Sequence, residues 1–335
     1  MELSADRLAE HLARQPASPL YILWGTEPLT LLESEDAIRA AALQAGHSQR
    51  MVHTVQGKFD WSRVFAGNDN FSLFASKRLL EIRIPSGKPG VEGGKALERL
   101  AGSPPADTLT IVSLPGLEWK STQSKWFSAL AAVGVVIQAR PVERAQLPAW
   151  ISRRLAARRF TADADALNYL AERVEGNLLA ARQEIDKLAL LMPAGPLSLE
   201  AVQQAVTDVS RFEPEQLQDT LLRADWPRYN RILGSLRQEG EPPPVVLWQI
   251  TAAIRLLLRL KWGLERREPL PRLLAAARVW EKRRPLVEAG LKRHGRKALE
   301  QALQTCALVD RQIKGAEQGD PWVSLAGISL ILANA

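Results

Sequence analysis

Strands and helices alternate along the first 140 residues of this chain, and the alternation limits its fold more than any other feature. Short apolar, β-prone runs are separated by stretches in which apolar residues recur at helical spacing. This order predicts an α/β domain whose sheet is mostly parallel, with helices on both faces. The predicted strands are 20–24, 50–55, 78–84, 108–113 and 135–138, with helices near 29–41, 61–66, 95–100 and 121–133. A polar helix is predicted at the N-terminus, and the Gly/Pro-rich stretch 85–94 is predicted to end the third strand.

Beyond residue 141 the sequence predicts helices alone. Four short helices are expected, with Asp163 and Ser198 as N-terminal capping residues of two of them. A second helical block begins near Phe212 and includes a long apolar helix. We therefore predict an α/β domain followed by two all-α domains, with boundaries at 1–140, 141–210 and 211–335. The four short helices are 146–157, 162–174, 177–192 and 199–206, and the long one is 245–264.

The composition excludes several classes of protein. The 335 residues contain no run of about 18 apolar residues, so no transmembrane helix is expected. The N-terminus lacks the apolar core of a signal peptide. The single cysteine, Cys306, excludes internal disulfides and cysteine-based zinc sites. A cytoplasmic protein is predicted.

The net charge of +7 lies entirely in the C-terminal third. Residues 211–335 carry 21 Lys and Arg against 14 Asp and Glu, and within them residues 255–297 carry 14 basic and four acidic side chains. Such a concentration suits a nucleic-acid backbone. A solvated helical face, or a face that pairs with an acidic neighbouring subunit, explains it equally well.

The turn after the first strand lacks the groups that bind phosphate. Nucleotide-binding α/β domains carry G-x-x-x-x-G-K-[ST] there, in which backbone N–H groups and a lysine hold the phosphates. Here the turn runs from Gly25 to Leu32 without a second glycine or a lysine, and it includes Glu27. The strand at 108–113 leads into Ser113 and Pro115 instead of the acidic residues that would hold magnesium. The architecture suggests an ATPase relative that does not hydrolyse ATP.

Several segments together resemble one family. The layout of the whole chain is similar to the AAA+ clamp-loader family, and within it to the delta subunits of the bacterial DNA polymerase III clamp loader. The chain has no Ser-Arg-Cys arginine-finger motif, which the ATPase and delta-prime subunits of that family carry. The segments that carry the resemblance are 20–29, 70–78, 175–180 with 184–185 and 187–188, 279–284 and 322–330.

The resemblance implies a binding subunit. Delta opens the β sliding clamp and joins the ATPase subunits (gamma or tau) and delta-prime in loading it on primed template DNA. It implies no cofactor, no membrane and no ATPase activity of its own, although the holoenzyme is a DNA-directed DNA polymerase, a nucleotidyltransferase. The third domain would be an oligomerisation collar, because helix 245–264 is apolar over most of its circumference and must be buried within the domain or against a partner. The alternatives are a stand-alone helical DNA-binding protein that uses the basic C-terminal block, or an ATPase with a divergent loop.

The resemblance also selects clamp-binding residues. Leu73 and Phe74 match the apolar pair that delta subunits insert into a hydrophobic pocket of the clamp, and Phe71 could pack beneath them. Two adjacent large apolar side chains suit an interface in which a few buried anchors supply most of the energy. Without the resemblance, paired apolar residues such as these would be assigned to the core.

Most of the ten tryptophans lie among aliphatic residues at helical spacing. Core packing is predicted for Trp126, Trp150 and Trp248. Trp280 is the best candidate for contact with nucleic acid, because three cations follow it, although a helix-end cluster that stabilises the local fold explains them equally well. These cations are Lys282, Arg283 and Arg284. The sequence contains no metal-binding or acid–base motif, and no catalytic residue is predicted.

Overall fold

The computed structural model describes residues 1–14, 17–65, 77–207 and 209–333. The chain forms two compact units, Met1–Thr207 and Asp208–Ala335. The boundary between them lies close to residue 211, where the third predicted domain begins. The division of the first unit at residue 140 stays a prediction.

The first unit is built around a parallel sheet. Its strand order is β1-β6-β2-β5-β4-β3, and every neighbouring pair is parallel. The predicted α/β class is confirmed, and each predicted strand is present within a few residues of its expected bounds. The strands are β1 (Glu2–Leu3), β2 (Leu20–Gly25), β3 (His47–Thr54), β4 (Lys77–Arg83), β5 (Thr108–Leu114) and β6 (Val135–Ala139).

Helices cover both faces of this sheet. Alternate residues of β2 enter two separate apolar cores: Ile22 packs on one face and Tyr21 on the other, and both are fully buried. Because both faces of this strand are buried, apolar residues are needed at successive positions, which explains the continuous apolar run in the sequence. The helices are α1 (Leu8–Arg14), α2 (Pro28–Gln44), α3 (Ser62–Phe65), α4 (Gly90–Gly102) and α5 (Lys125–Val133).

Two predictions for this sheet domain are wrong, one at the N-terminus and one at the start of α4. The N-terminus does not begin with a helix: Glu2 and Leu3 pair with β6, and α1 begins only at Leu8. A two-residue strand is too short to produce a periodic pattern. Helix α4 begins at Gly90, inside the stretch assigned to a loop. A Cβ on Gly93 would lie 2.5 Å from Cζ2 of Trp61, so this contact offsets the low helix propensity of glycine.

The remainder of the first unit is mainly helical, with helices α6 (Leu147–Ala157), α7 (Ala164–Val174), α8 (Leu178–Leu191) and α9 (Leu199–Ala205). Both predicted caps are confirmed: Asp163 accepts a hydrogen bond from the N–H of Ala166 at 2.8 Å, and Ser198 from that of Ala201 at 3.2 Å. The prediction that strands end at residue 141 is wrong. Strands β7 (Phe160–Ala162) and β8 (Gly195–Leu197) form a two-stranded parallel sheet, and three residues are too few to show alternation.

The described residues of the second unit form helices joined by turns and loops, without a strand, and the unit has its own apolar core. Helix α12 crosses that core, and Val246, Ile250, Ile254 and Leu257 are fully buried. By length and composition α12 could cross a membrane, but half of its apolar window is buried inside the unit, as in a core helix. Its predicted burial is confirmed, and it occurs within the unit itself. The helices are α10 (Gln216–Arg223), α11 (Trp226–Gln238), α12 (Pro243–Glu265), α13 (Leu270–Ala276), α14 (Arg284–Arg293), α15 (Arg296–Ile313) and α16 (Pro321–Ala333).

Candidate functional site

The turn between β2 and α2 folds back onto the neighbouring strand. Gly25 has φ of +130°, and a Cβ there would lie 2.0 Å from the carbonyl oxygen of Ala139 on β6. The N–H groups of Thr26 and Glu27 donate to that same carbonyl, at 3.1 and 3.4 Å. These two backbone donors are therefore used inside the protein, whereas a phosphate-binding loop directs its N–H groups at the ligand.

The N-terminus of α2 is occupied by a carboxylate of the chain itself. Oε1 of Glu27 accepts the N–H of Leu29 at 3.1 Å, and the Glu27 side chain is buried. Pro28, the first residue of the helix, has no N–H to offer. Burial raises the pKa of Glu27, while the bond from Leu29 acts in the opposite direction. A bound phosphate would have to displace or face this acidic group.

The carboxyl end of β5 carries a hydroxyl where a magnesium ligand would be needed. Oγ of Ser113 donates to Oε1 of Glu35 on α2 at 2.7 Å, and Pro115 follows two residues later. Within the described ranges, no three His, Cys, Asp or Glu side chains are grouped so that they could hold a metal ion. The end of β5 is joined to α2 by a hydrogen bond between side chains.

A cluster of ion pairs ties α2 to β3 and β4. Glu81 on β4 is 2% exposed and accepts hydrogen bonds from Nε of Arg39 at 2.9 Å, Nε of Arg50 at 2.7 Å and a terminal nitrogen of Arg83 at 2.9 Å. Arg39 also pairs with Glu35 on its own helix. Burial by itself would raise the pKa of Glu81, but the three guanidinium groups outweigh it and hold the pKa at about 2.

Replacing Glu81 with glutamine should destabilise the first unit by about 3 kcal/mol. This is the lower end of the cost of breaking a buried ion pair, because Arg50 and Arg83 still reach water. Hydrogen exchange of the sheet amides in the full chain measures the loss. Because folding lowers the pKa of Glu81 from 4.5 to about 2, the difference from wild type should be full above about pH 5 and shrink as the pH falls toward 2.

The matched control for this prediction is Glu92→Gln, since Glu92 is exposed and pairs with Lys95 on the surface of α4. It should change stability by less than about 0.5 kcal/mol. A loss at Glu81 that is equal at pH 3 and pH 7 would contradict the assignment of the cluster as the source of the stability.

Ion pairs also join α2 to the helices that follow the sheet. Glu33 on α2 is bound by Arg154 of α6, with a nitrogen–oxygen distance of 2.7 Å, and lies 3.7 Å from Arg182 of α8. The guanidinium of Arg154 also stacks over the ring of Trp150, 4.2 Å from its centroid. Ion pairs between side chains thus hold α2 to α6 and α8.

A cavity of about 820 Å³ lies beside the turn. Three indoles line it, and the rings of Trp24 and Trp119 lie 5.8 Å apart. Its cations include Arg140, whose Nε donates to Gln138 at 2.7 Å. The cavity therefore has aromatic walls, and it is lined by the carboxylates of Glu2 and Asp6 as well as by cationic side chains. The other indole is Trp150, and Arg153 is a further cation.

The predicted clamp-binding residues, Leu73, Phe74 and Phe71, lie outside the described residues. Both flanks of their segment are anchored in the first unit. On the N-terminal side Val64 is buried in the core, and Arg99 of α4 stacks over the ring of Phe65 at 4.5 Å. On the C-terminal side Lys77 begins β4, and its Nζ donates to the carbonyl oxygen of Ala45 at 3.1 Å.

The predicted nucleic-acid cluster in the second unit is only partly available for a ligand. Trp280 is 82% exposed, and Lys282 is exposed beside it. Arg283, in contrast, donates to Gln218 at 2.7 Å and to Asp219 at 3.0 Å. Arg284 lies 3.8 Å from Glu281, and its Nε is buried without a partner. Trp280 and Lys282 are thus the members of this set that face solvent.

The core assignment of the tryptophans is correct for Trp126 and Trp150 and wrong for Trp248. Trp150 is buried and Trp126 packs against the core of the first unit. Trp248 on α12, however, is 65% exposed, and Trp262 on the same helix is 45% exposed. Hydrophobic spacing could not distinguish them, because α12 is apolar on nearly every side. The signal that could have identified this face is the series Trp248, Arg255 and Trp262, which follow one another at seven-residue spacing.

Comparison with known proteins gives a consistent result. A family model described as "DNA polymerase III, delta subunit" matches residues 21–140, and one described as "Processivity clamp loader gamma complex DNA pol III C-term" matches residues 214–335. DNA polymerase III subunit delta of Escherichia coli K12 is 34% identical over 94% of this chain and 91% of its own length. The Haemophilus influenzae subunit is 28% identical over 97% of both.

A solved structure agrees on the fold. The Bacillus subtilis DNA clamp loader delta protein superposes with a TM-score of 0.54 at 20% identity, covering 99% of this chain and 100% of its own. The fold, a parallel α/β sheet domain followed by helices, is therefore that of a clamp-loader subunit. The chain belongs to the DNA polymerase III delta subunit family, a family of DNA replication proteins. The resemblance noted in the sequence is confirmed.

Proposed function

We propose that this chain is the clamp-loader subunit that binds and opens the β sliding clamp without hydrolysing ATP. The polymerase chemistry belongs to the holoenzyme, and this subunit contributes binding energy. ATP would act through the neighbouring gamma or tau subunits, which would shift delta between arrangements that expose or hide its clamp-binding residues.

The observation that carries this proposal is the occupied N-terminus of α2. In a nucleotide-binding relative, backbone N–H groups at this position hold phosphate. Here Glu27 caps the helix, and the N–H groups of Thr26 and Glu27 bond to Ala139. With Ser113 bonded to Glu35 at the end of β5, both halves of an ATP site are filled by internal contacts. A delta-family protein whose nucleotide-binding positions are filled in this way would act by binding protein partners and not by hydrolysing ATP.

Each of the three predicted domains would have a separate part in this function. The sheet domain, residues 1–140, would carry the clamp-binding residues Leu73, Phe74 and Phe71. Residues 141–210 would form a lid, held to α2 by the ion pairs of Glu33. Residues 211–335 would form the collar that joins gamma or tau and delta-prime, and Trp280 with Lys282 would face primed template DNA. A cytoplasmic location is part of the same proposal.

Retention on the clamp tests the proposal directly. Immobilised β clamp should retain the purified full chain without ATP or any other subunit. The alternative, a stand-alone DNA-binding protein that uses the basic block of the second unit, requires no such retention. Binding to DNA together with failure to bind the clamp would favour that alternative.

The isolated chain is expected not to bind or hydrolyse ATP, because the N–H groups of Thr26, Glu27 and Leu29 are bonded within the protein, the turn has no lysine, and β5 has no carboxylate for magnesium. Equilibrium dialysis and phosphate release measure this, with an ATPase subunit of the same clamp loader as the positive control. Saturable micromolar binding with turnover above background would overturn the prediction.

A further inference from the structure

Helix α12 presents a stripe of exposed aromatic and basic residues to solvent. At 100° per residue, Trp248, Arg255, Arg259, Trp262 and Arg266 lie within about 60° of one another around the helix axis. Trp248 and Trp262 are separated by 14 positions, which is about 21 Å along the helix. All five side chains are exposed, and the opposite face of the helix fills the core. We call these five residues the α12 stripe.

Two arginines of the α12 stripe have no charged partner among the described residues. In the described part of the chain, Arg255 and Arg259 form no ion pair and no side-chain hydrogen bond. The acidic residue of this helix, Glu265, lies off the stripe and pairs with Arg296 of α15 at 2.8 Å. The stripe is therefore a row of positive charge without an internal counter-charge.

The two tryptophans lie outside the buried core of the unit. The core is filled by the buried face of α12, whereas 65% of Trp248 and 45% of Trp262 is left in contact with water. Tryptophan and arginine are the residue types that are enriched where binding energy is concentrated. Indole rings that alternate with arginines form the combination that binds single strands: bases stack on the rings, and the cations pair with phosphates.

We propose that the α12 stripe binds single-stranded nucleic acid. A protein partner would also use Trp and Arg, but it would need an acidic face to match the stripe. The surrounding sequence favours an extended polyanion, because residues 255–297 carry 14 basic side chains and four acidic ones. Unpaired bases fit better than a duplex, since the faces of paired bases are not open to an indole ring. The proposal does not rest on clamp binding or on the ATP-free turn.

The test measures binding of fluorescein-labelled oligo(dT), about 20 nucleotides long, to the full chain by anisotropy at about 50 mM salt. Trp248→Ala with Trp262→Ala should weaken binding by about thirtyfold or more. Arg255→Gln with Arg259→Gln should also weaken it, and should reduce the slope of log K against log salt by about 1.4, or 0.7 for each arginine–phosphate pair removed. A duplex of the same length should bind more weakly and respond less to the tryptophan changes.

Matched controls lie in the first unit. Trp119→Ala removes a tryptophan that is 62% exposed, and Lys120→Gln with Lys125→Gln removes the same charge as the arginine pair. Neither should change oligo(dT) affinity by more than about twofold. Thermal unfolding of each variant checks the fold; if Trp262→Ala proves destabilising, Trp248→Ala and the arginine pair decide the result, because they alter exposed side chains.

Three results would overturn the proposal. Unchanged affinity in both stripe variants would do so, and so would equal losses in the controls. Unchanged oligo(dT) binding together with failure to join the ATPase subunits would assign the stripe to a protein interface instead.

Discussion

Replacing Leu73 and Phe74 together with alanine is expected to weaken binding to the β clamp by roughly two to four decades. Removing two buried apolar anchors from an interface costs about 3–6 kcal/mol, at about 1.5–3 kcal/mol for each side chain, and 1.4 kcal/mol corresponds to a factor of ten. As anchors, the two residues would contribute little to the fold of the free subunit, so its unfolding temperature should change little. Affinity and unfolding should be measured on one preparation.

The chain offers a matched control for this pair. Leu190 and Leu191, at the end of α8, are also adjacent, apolar and exposed, at 87% and 65%. Leu190→Ala with Leu191→Ala should leave clamp affinity unchanged. If the Leu73 and Phe74 variant melts many degrees lower and loses clamp binding only through unfolding, the two residues belong to the core. A wild-type melt with unchanged clamp affinity would also contradict their assignment to the interface.

Removing residues 208–335 is expected to abolish assembly with the ATPase subunits while clamp binding persists. The two units have separate apolar cores, so the first should fold without the second. Size-exclusion chromatography with the ATPase subunits and a clamp pull-down of the same fragment measure the two activities.

The reciprocal fragment, residues 208–335, provides the control and should still enter the complex. Normal entry of the truncated 1–207 fragment would show that the collar assignment is wrong. The structure makes this test necessary, because the apolar face of α12 is buried within its own unit. The apolar sequence of that helix is therefore no evidence for a partner, and the collar depends on other surfaces of the second unit.

Ion pairs in the first unit join α2 to its neighbouring strands and helices. Glu33 holds Arg154 and Arg182 of the later helices against α2, and Glu81 holds the same helix to β3 and β4 through Arg39 and Arg50. These contacts do not depend on a ligand.

The alternation of strands and helices predicted the parallel sheet because a strand buried on both faces leaves a continuous apolar run, as in β2. The caps at Asp163 and Ser198 were predictable because each serves only the helix that follows it. The absence of a lysine from the turn after β2 could also be read directly. These are local properties, and they depend on neighbours within a few positions in the chain.

The features that escaped prediction depend on residues far apart in the chain. Strand β1 needs β6, about 134 positions away, and β7 needs β8; each is too short for a pattern of its own. The glycine at position 93 of α4 packs closely against Trp61, more than 30 positions earlier in the chain. The buried carboxylate of Glu81 is paired with arginines from α2 and β3 that no spacing along the sequence connects.

By itself, then, the sequence determined the order of the elements, the helix caps and the lack of phosphate-binding residues, because each follows from neighbouring side chains. Only the tertiary structure decided which charges are buried together and which face of the mostly apolar helix α12 meets water. Trp248 illustrates this difference: its apolar surroundings in the sequence predict the core, yet the packing of α12 leaves it 65% exposed. The exposure of a side chain depends on which elements cover its helix, and that is set by contacts across the whole unit.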